Sequence, residues 1–259
     1  MTSATLKGVL FDLDDTLLDW SGFQADWETV HRRHLSGVLD WFERQGYPPR
    51  DLDDFTDAFQ ERTASAWNGA RSSLRAPNLG HVLLETAGEF GLPPGEIDIV
   101  QALDAYEWGA IEGTVIFPEV RETITKLRTQ GIRVGIVTNA YQPMWLRDIE
   151  IDMHGILDLF PDCRLSAADV GYLKPHPAIF QAALDCLGTH PEETVFVGDD
   201  PEADIAGAQA AGLLGVLRST PRTRPMVNPI VPDAIIHDLT ELLTLLDGWY
   251  PGWRANHAG

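Results

Sequence analysis

Basic residues are scarce in this chain: 19 Lys and Arg stand against 39 Asp and Glu in 259 residues, a formal net charge of −20. So acidic a balance excludes a general electrostatic grip on nucleic acid, which needs a basic face. It also disfavours adsorption to anionic membranes. Cysteine is nearly absent. Cys163 and Cys186 are too few for a disulfide framework and match no zinc spacing; both lie among apolar neighbours and are expected to be small buried hydrophobes. No run of 18 or more apolar residues occurs, so no membrane span is expected. Segment 1–7 is short and polar, without signal or transit character, and a cytoplasmic protein is the default expectation. Internal repeats and low-complexity segments are also lacking.

What is present is ordinary for a globular protein: 44% hydrophobic and 22% charged residues, enough to bury a core. The length suits one large domain, or a core with a smaller second one. The acidic balance sets a condition on function. An anionic substrate meets a repulsive overall field, so its site must be locally positive, through a bound metal ion and one or two basic side chains.

Along the chain, Val9-Leu10-Phe11 reads as a buried strand stopped by Asp12-Leu13-Asp14-Asp15. Helical spacing then dominates: 24–43, 51–67, 81–90 and 97–108 read as helices, with Gly46, Gly91 and Pro93-Pro94-Gly95 as breaks. No good strand is visible between residues 20 and 108. From Thr114 onward the pattern alternates. Helices are expected at 120–129, 143–149, 178–187, 203–211 and 239–246, and strands at 133–137, 163–165, 194–197, 214–217 and 234–236. A turn-rich segment carries Pro221, Pro225, Pro229 and Pro232. Such alternation implies βαβ units and a parallel sheet covered on both faces. The expected architecture is α/β: a Rossmann-like, doubly wound core from 1–18 and 111–259, with an all-helical second domain at 19–110.

Ligands of open α/β sheets bind at the C-terminal ends of the strands. Asp12, Asp14 and Thr16 follow the first strand; Thr138 and Asn139 follow 133–137; Lys174 lies beyond 163–165; Asp199, Asp200 and Asp204 follow 194–197. This set suits phosphoryl chemistry. Asp12 and Asp199 supply carboxylates for Mg²⁺, which takes six oxygen ligands. Asp12 also serves as nucleophile, with Lys174 and the metal offsetting its repulsion of phosphate. Asp14 protonates the leaving oxygen and later activates water. Thr138 and nearby amides bind the remaining phosphoryl oxygens. Each residue alone has a plainer reading: Asp after a strand is a common turn or cap residue, and Thr138-Asn139 before a helix is a reasonable N-cap. Their joint appearance, each after a strand, carries the case.

The arrangement resembles the haloacid dehalogenase-like hydrolase superfamily. Four motifs match in order: Phe11-Asp12-Leu13-Asp14-Asp15-Thr16-Leu17; Val137-Thr138-Asn139; Gly171-Tyr172-Leu173-Lys174-Pro175-His176-Pro177; and Val197-Gly198-Asp199-Asp200-Pro201-Glu202-Ala203-Asp204. The resemblance implies Asp12 as nucleophile, Asp14 as general acid/base, Thr138, Asn139 and Lys174 on the substrate phosphate, and a Mg²⁺ held by Asp12, Asp199 and the backbone carbonyl of Asp14. Asp204 is implied as a supporting acid, and Asp200 is a further carboxylate near the metal. The helical insert at 19–110 is similar to the family's cap, which closes over the site and selects substrate. The implied substrate is a small phosphorylated metabolite. Monomer and cap-mediated dimer are both open.

Within the insert, Trp20 follows the first motif closely and is a candidate to stack on substrate. Trp27, Trp41, Trp67 and Trp108 are expected in the small bundle's own core. His31-Arg32-Arg33-His34 is expected to form a solvated helix face, as are Arg71 and Arg75. Three alternatives share the motifs or their chemistry. A 2-haloacid dehalogenase uses an aspartate nucleophile without metal or second acid, which Asp14 and Gly198-Asp199-Asp200 argue against. A phosphomutase would return the phosphate to a sugar. A phospho-acceptor signalling domain is far shorter and has no large insert after its first strand.

Overall fold

Val9, Leu10 and Phe11 are apolar in succession, and the fold places them where both faces of a strand are covered. The structure, a computed structural model, describes residues 5–225 and 230–255. In chain order the strands are β1 (Gly8–Phe11), β2 (Leu18–Asp19), β3 (Val115–Ile116), β4 (Arg133–Thr138), β5 (Cys163–Ser166), β6 (Thr194–Gly198), β7 (Leu214–Arg218) and β8 (Ala234–Ile236). The α-helices are α1 (Trp27–Arg44), α2 (Leu52–Ser73), α3 (Leu79–Glu89), α4 (Ile99–Ala105), α5 (Val120–Thr129), α6 (Met144–Met153), α7 (Ala167–Val170), α8 (Pro177–Leu187), α9 (Gly207–Ala210) and α10 (Thr240–Trp249).

Six strands make one parallel sheet in the order β5-β4-β1-β6-β7-β8. Side chains alternate across it. Val9, Phe11, Val195 and Val197 join the cluster that contains Ile124 and Leu127 of α5 and Leu242 and Leu246 of α10. Leu10 and Phe196 point the other way, onto Ile179, Phe180 and Ala183 of α8 and Ala208 of α9. The core is therefore the doubly wound, Rossmann-like α/β sandwich that the alternating pattern implies. β1 lies between β4 and β6, where the strand order reverses, and open sheets of this kind bind ligands at that crevice.

Between β2 and β3 the chain builds helices α1–α4. Each begins on an Asp or Asn whose side chain accepts a backbone N–H of the first turn: Asp26, Asp51, Asn78 and Asp98. Capping of this type fixes the starts of helices that periodicity alone leaves loose. Leu35, Val38 and Phe42 of α1 pack with Phe55 and Phe59 of α2 and with Leu83 of α3. This is the smaller helical domain.

Several expectations need correction. Segment 18–19, at the edge of the stretch read as helical, forms β2 and pairs antiparallel with β3, Leu18 opposite Ile116 and Asp19 opposite Val115. Two-residue strands carry no readable periodicity. This ribbon ties together the outgoing and returning chains. Just beyond it Gly22 and Gly113 approach so closely that a Cβ on either would strike the other's carbonyl oxygen. The helix expected at 203–211 is a wide π-type turn over Pro201–Ala206 followed by α9. The cysteines are not isolated hydrophobes: Cys163 of β5 and Cys186 of α8 form a disulfide, and Cys186 is exposed. The His31–His34 stretch is only half solvated. His31 and His34 are buried, while Arg32 is exposed and pairs with Asp53. Trp27 is no core residue either, at 45% exposure. Of the C-terminal segment, Trp253 is buried and its indole N–H donates to Asp247 Oδ1 at 2.8 Å. Pro229 and residues 256–259 lie outside the described residues. No helix among the described residues is long and apolar enough to cross a membrane.

Candidate active site

β1 ends at Phe11, and the next residue is the first to reach the crevice. The Asp12 amide donates to the Val197 carbonyl at 2.9 Å, so the sheet's hydrogen bonding fixes the position of its carboxyl group. The Lys174 ammonium, 3% exposed, donates to Asp12 Oδ1 at 2.6 Å and to the Val137 carbonyl at 2.8 Å. It also pairs with Asp204 Oδ1 at 2.7 Å. Burial opposes the charge on Lys174, but Asp12 and Asp204 hold its pKa above the ordinary lysine value.

Asp12, Asp199 and Asp204 each offer a carboxylate oxygen within 4.8 Å of the others. One ammonium faces three carboxylates there. Burial, only partly offset by Lys174 and reinforced by Asp204 and Asp14, pushes Asp12 up to about 7. Burial and the neighbouring charges of Asp12 and Asp204 push Asp199 up to about 9. An oxygen-only set with surplus negative charge suits a hard divalent cation. The cluster needs Gly198: a Cβ there would collide with the Asp204 carboxylate. The π-type turn brings Asp204 back under the strand end, where its Oδ2 accepts the Asp200 amide at 3.0 Å. Single π-turns of this sort concentrate at functional sites.

The sequence-derived residues Asp12, Asp14, Thr138, Lys174 and Asp199 thus share one edge of the sheet, and Asp204 joins them. Two have narrower places than expected. Asp200 lies outside the three-carboxylate cluster; it caps the π-type turn through the Glu202 and Ala203 amides, both at 2.9 Å, and pairs with Arg224 at 3.1 Å. Asn139 engages both ends of its amide with the Lys174 main chain, accepting from the Lys174 amide at 2.7 Å and donating to its carbonyl at 3.1 Å. It fixes the lysine loop.

Asp14 is not one of the three clustered carboxylates. Its Oδ1 accepts from the Trp20 indole at 2.9 Å and from Arg147 at 2.7 Å, and its Oδ2 from Thr138 Oγ1 at 3.5 Å. Arg147, on α6 and 3% exposed, also contacts Glu150 Oε2 at 3.1 Å. Burial works against the Arg147 charge, and Asp14 and Glu150 restore it. Glu150 is wholly buried and takes the Trp108 indole N–H at 2.8 Å. Burial pushes it up to about 7 against the pull of Arg147. Sequence reading missed this chain of groups. The available signal was a charged pair three residues apart on the face of α6 that also carries Ile151, but the helix was expected to stop before Glu150.

Beside Asp14, between the helical domain and the core, lies a chamber of about 700 Å³. Trp20, Trp27, Trp67, Trp108 and Tyr141 line much of it, with Arg147, Arg222 and Arg224. The last two arginines come from the turn-rich segment and had no sequence signal. Arg222 donates to Asp15 Oδ2 at 2.9 Å.

Comparison with known proteins agrees with this geometry. Residues 6–212 match the family model described as haloacid dehalogenase-like hydrolase. The ribulose-1,5-bisphosphate 5-phosphatase of Halopiger xanaduensis is 31% identical over 212 residues, 81% of this chain and 83% of the relative. The glyceraldehyde 3-phosphate phosphatase of Methanothermobacter thermautotrophicus is 26% identical over 93% of this chain and 100% of its own. Among solved structures, a 2-haloacid dehalogenase from Pseudomonas syringae pv. Tomato superposes with a TM-score of 0.62 at 28% identity, covering 95% of this chain and 100% of that one. With its motifs gathered at one sheet edge and the match spanning most of its length, the chain belongs to the haloacid dehalogenase-like hydrolase family.

Proposed function

We propose that the protein is a Mg²⁺-dependent phosphatase that hydrolyses a small phosphomonoester through a phosphoryl group carried on Asp12. One observation carries the reading: Asp12 is held by Lys174 within a cluster of three carboxylates, and a second acid, Asp14, stands two residues away on the side of the chamber. Asp12 and Asp199, with Asp204 and the Asp14 carbonyl, would hold the cation. When bound, it neutralises charge on the transferring phosphoryl group.

The chain's own groups account for the rest. Lys174 keeps Asp12 oriented and places a positive charge where phosphoryl oxygens arrive. An Asp12 carboxylate oxygen attacks phosphorus, the bond to the leaving oxygen breaks, and Asp14 gives that oxygen its proton. Asp14 then takes a proton from water as the water oxygen attacks phosphorus, which frees Asp12 and releases inorganic phosphate. Thr138 Oγ1, within reach of Asp14, donates to a phosphoryl oxygen. Named phosphatases among the relatives support this reading. The dehalogenase likeness does not displace it, because Asp14 and the second and third carboxylates have no task in metal-free displacement of halide.

The test is Asp12→Asn assayed for phosphate release from a generic aryl phosphate with Mg²⁺. Activity should fall at least ~10⁴-fold, as for loss of other nucleophiles, with an unchanged circular dichroism spectrum. Substantial turnover by the variant overturns the assignment of Asp12. Metal-free chloride release from 2-chloropropionate by the wild type overturns the phosphatase reading itself.

A further inference from the structure

The chamber beside Asp14 is much larger than a phosphate with a two- or three-carbon tail needs. At about 700 Å³ it lies in the range that holds drug-sized ligands. Aromatic rings line it in two groups that meet where Tyr141 Oη lies 3.5 Å from His31 Nε2. Trp27 of α1 stands 6.0 Å from Trp20 and 5.9 Å from the His31 ring, and Trp67 of α2 stands 6.2 Å from Tyr141 (ring centroids). The aromatic wall begins at the reacting centre, because the Trp20 indole donates to Asp14 Oδ1 at 2.9 Å. A leaving group on the oxygen that Asp14 protonates lies next to these rings.

The wall also contains polar atoms without partners. Among the described residues, His31 Nδ1 and the Gln60 amide nitrogen are buried without a hydrogen-bond partner, while His31 Nε2 lies 3.5 Å from Tyr141 Oη; both residues line the chamber. Burial pushes His31 down to about 4, so it is a neutral imidazole at physiological pH, able to meet a ring nitrogen or carbonyl. Unpaired buried groups in an aromatic wall call for an explanation, and a small turn of either side chain would present it to a bound ring.

Resting on the phosphatase reading above, we infer that the substrate is a phosphomonoester whose leaving group carries a planar heteroaromatic ring, packed against the Trp20, Trp27 and Trp67 indoles that line the chamber. A flat ring covers aromatic surface that a short aliphatic tail would leave to water. Stacking of one base on an aromatic side chain contributes about 5- to 150-fold in affinity.

The test compares substrates that share one leaving alcohol and differ only in the ring. Phosphate release is measured from adenosine 5′-monophosphate, uridine 5′-monophosphate and ribose 5-phosphate, with wild type, Trp27→Leu and Trp67→Leu. Expected is a kcat/KM at least ~10-fold higher for one nucleotide or both than for ribose 5-phosphate. Each variant should shrink that preference by ~10-fold or more, through KM for the nucleotide. Trp27 is exposed enough that its loss spares the fold, so it keeps the test valid should Trp67→Leu not fold. Equal or better turnover of ribose 5-phosphate overturns the inference while leaving the phosphatase reading standing. A preference that both folded variants retain in full overturns it as well. No phosphate release from any of the three, nor from an aryl phosphate, refutes the phosphatase reading instead.

Discussion

Glu150 makes an unusual stability prediction, because its charge is expected to harm the fold that encloses it. The carboxyl group is fully buried, paired with Arg147 at 3.1 Å and bonded to the Trp108 indole at 2.8 Å. Burial nonetheless pushes it from 4.5 up to about 7, so Arg147 and Trp108 do not repay the lost hydration. The sign follows from linkage. An acid whose folded pKa lies above its unfolded value stabilises the fold below the unfolded pKa, and that stability is lost as pH rises through the folded one. The window therefore runs from about 4.5 to about 7. Its depth is roughly 2.5 pKa units, or about 3 kcal/mol at 1.36 kcal/mol per unit. Glu150→Gln imitates the neutral acid, and Arg147 keeps Asp14 at 2.7 Å as partner. The variant should match the wild type near pH 4.5–5 and exceed it by up to about 3 kcal/mol above pH 8, roughly 6–12 °C in Tm for a chain of this size. Paired urea and thermal unfolding at pH 5 and 8.5 in one buffer series measure the difference. A variant less stable than wild type at pH 8.5 would show that the Arg147–Glu150 pair is net stabilising and refute the reasoning.

Lys174→Met should cost about 3–5 kcal/mol, because it leaves Asp12 and Asp204 buried without their cation; chemical denaturation checks this, and a loss under 1 kcal/mol would mean the carboxylates are already neutral. Cys186→Ser opens a covalent loop with a sequence separation of 23, so the oxidised wild type should be more stable by about 3 kcal/mol. Activity should survive that change, since the bond joins β5 to α8 away from the site, and phosphate-release assays on the folded variant decide it.

How much of this was readable before the fold was known depends on the physics behind each residue. Asp12, Thr138 and Asp199 were legible because each ends or directly follows an apolar strand, and a parallel sheet leaves its strand ends at one edge. Lys174 was legible through its motif rather than through periodicity, since β5 is short and the loop after it winds through α7. Arg147 and Glu150 were not, because helical patterning treats charge as a sign of exposure and their mutual pairing inverts that rule. The chamber escaped for a related reason. Spacing along one helix cannot tell an indole that packs inside a bundle, such as Trp41, from one that lines the chamber, such as Trp27. The ribbon β2–β3 is set by pairing across nearly a hundred residues, and no local window holds both halves. The Cys163–Cys186 bond depends likewise on a strand and a helix meeting in space.

The assembled site is as acidic as the chain that builds it. Lys174, Arg147, Arg222 and Arg224 are the cations around the crevice and chamber, and each is already paired with a carboxylate: Asp12 and Asp204, Asp14 and Glu150, Asp15, and Asp200. Asp199 adds another. Those seven carboxylates outnumber the four cations, so the protein alone does not offer a phosphate dianion a positive site. Its groups also resist ionising together, with Asp12 up to about 7 and Asp199 up to about 9. Two results should follow. Mg²⁺ should bind with an affinity that rises with pH between about 6 and 9, releasing protons as it does so, and Asp199→Asn should flatten that slope. Inorganic phosphate should bind measurably with Mg²⁺ and far more weakly in EDTA. Isothermal titration measures both, with the Mg²⁺ heat compared in buffers of different ionisation enthalpy to count protons. Equal phosphate affinity with and without Mg²⁺ would mean that the arginines give up their carboxylates to the ligand, and that the chain makes its own positive site after all.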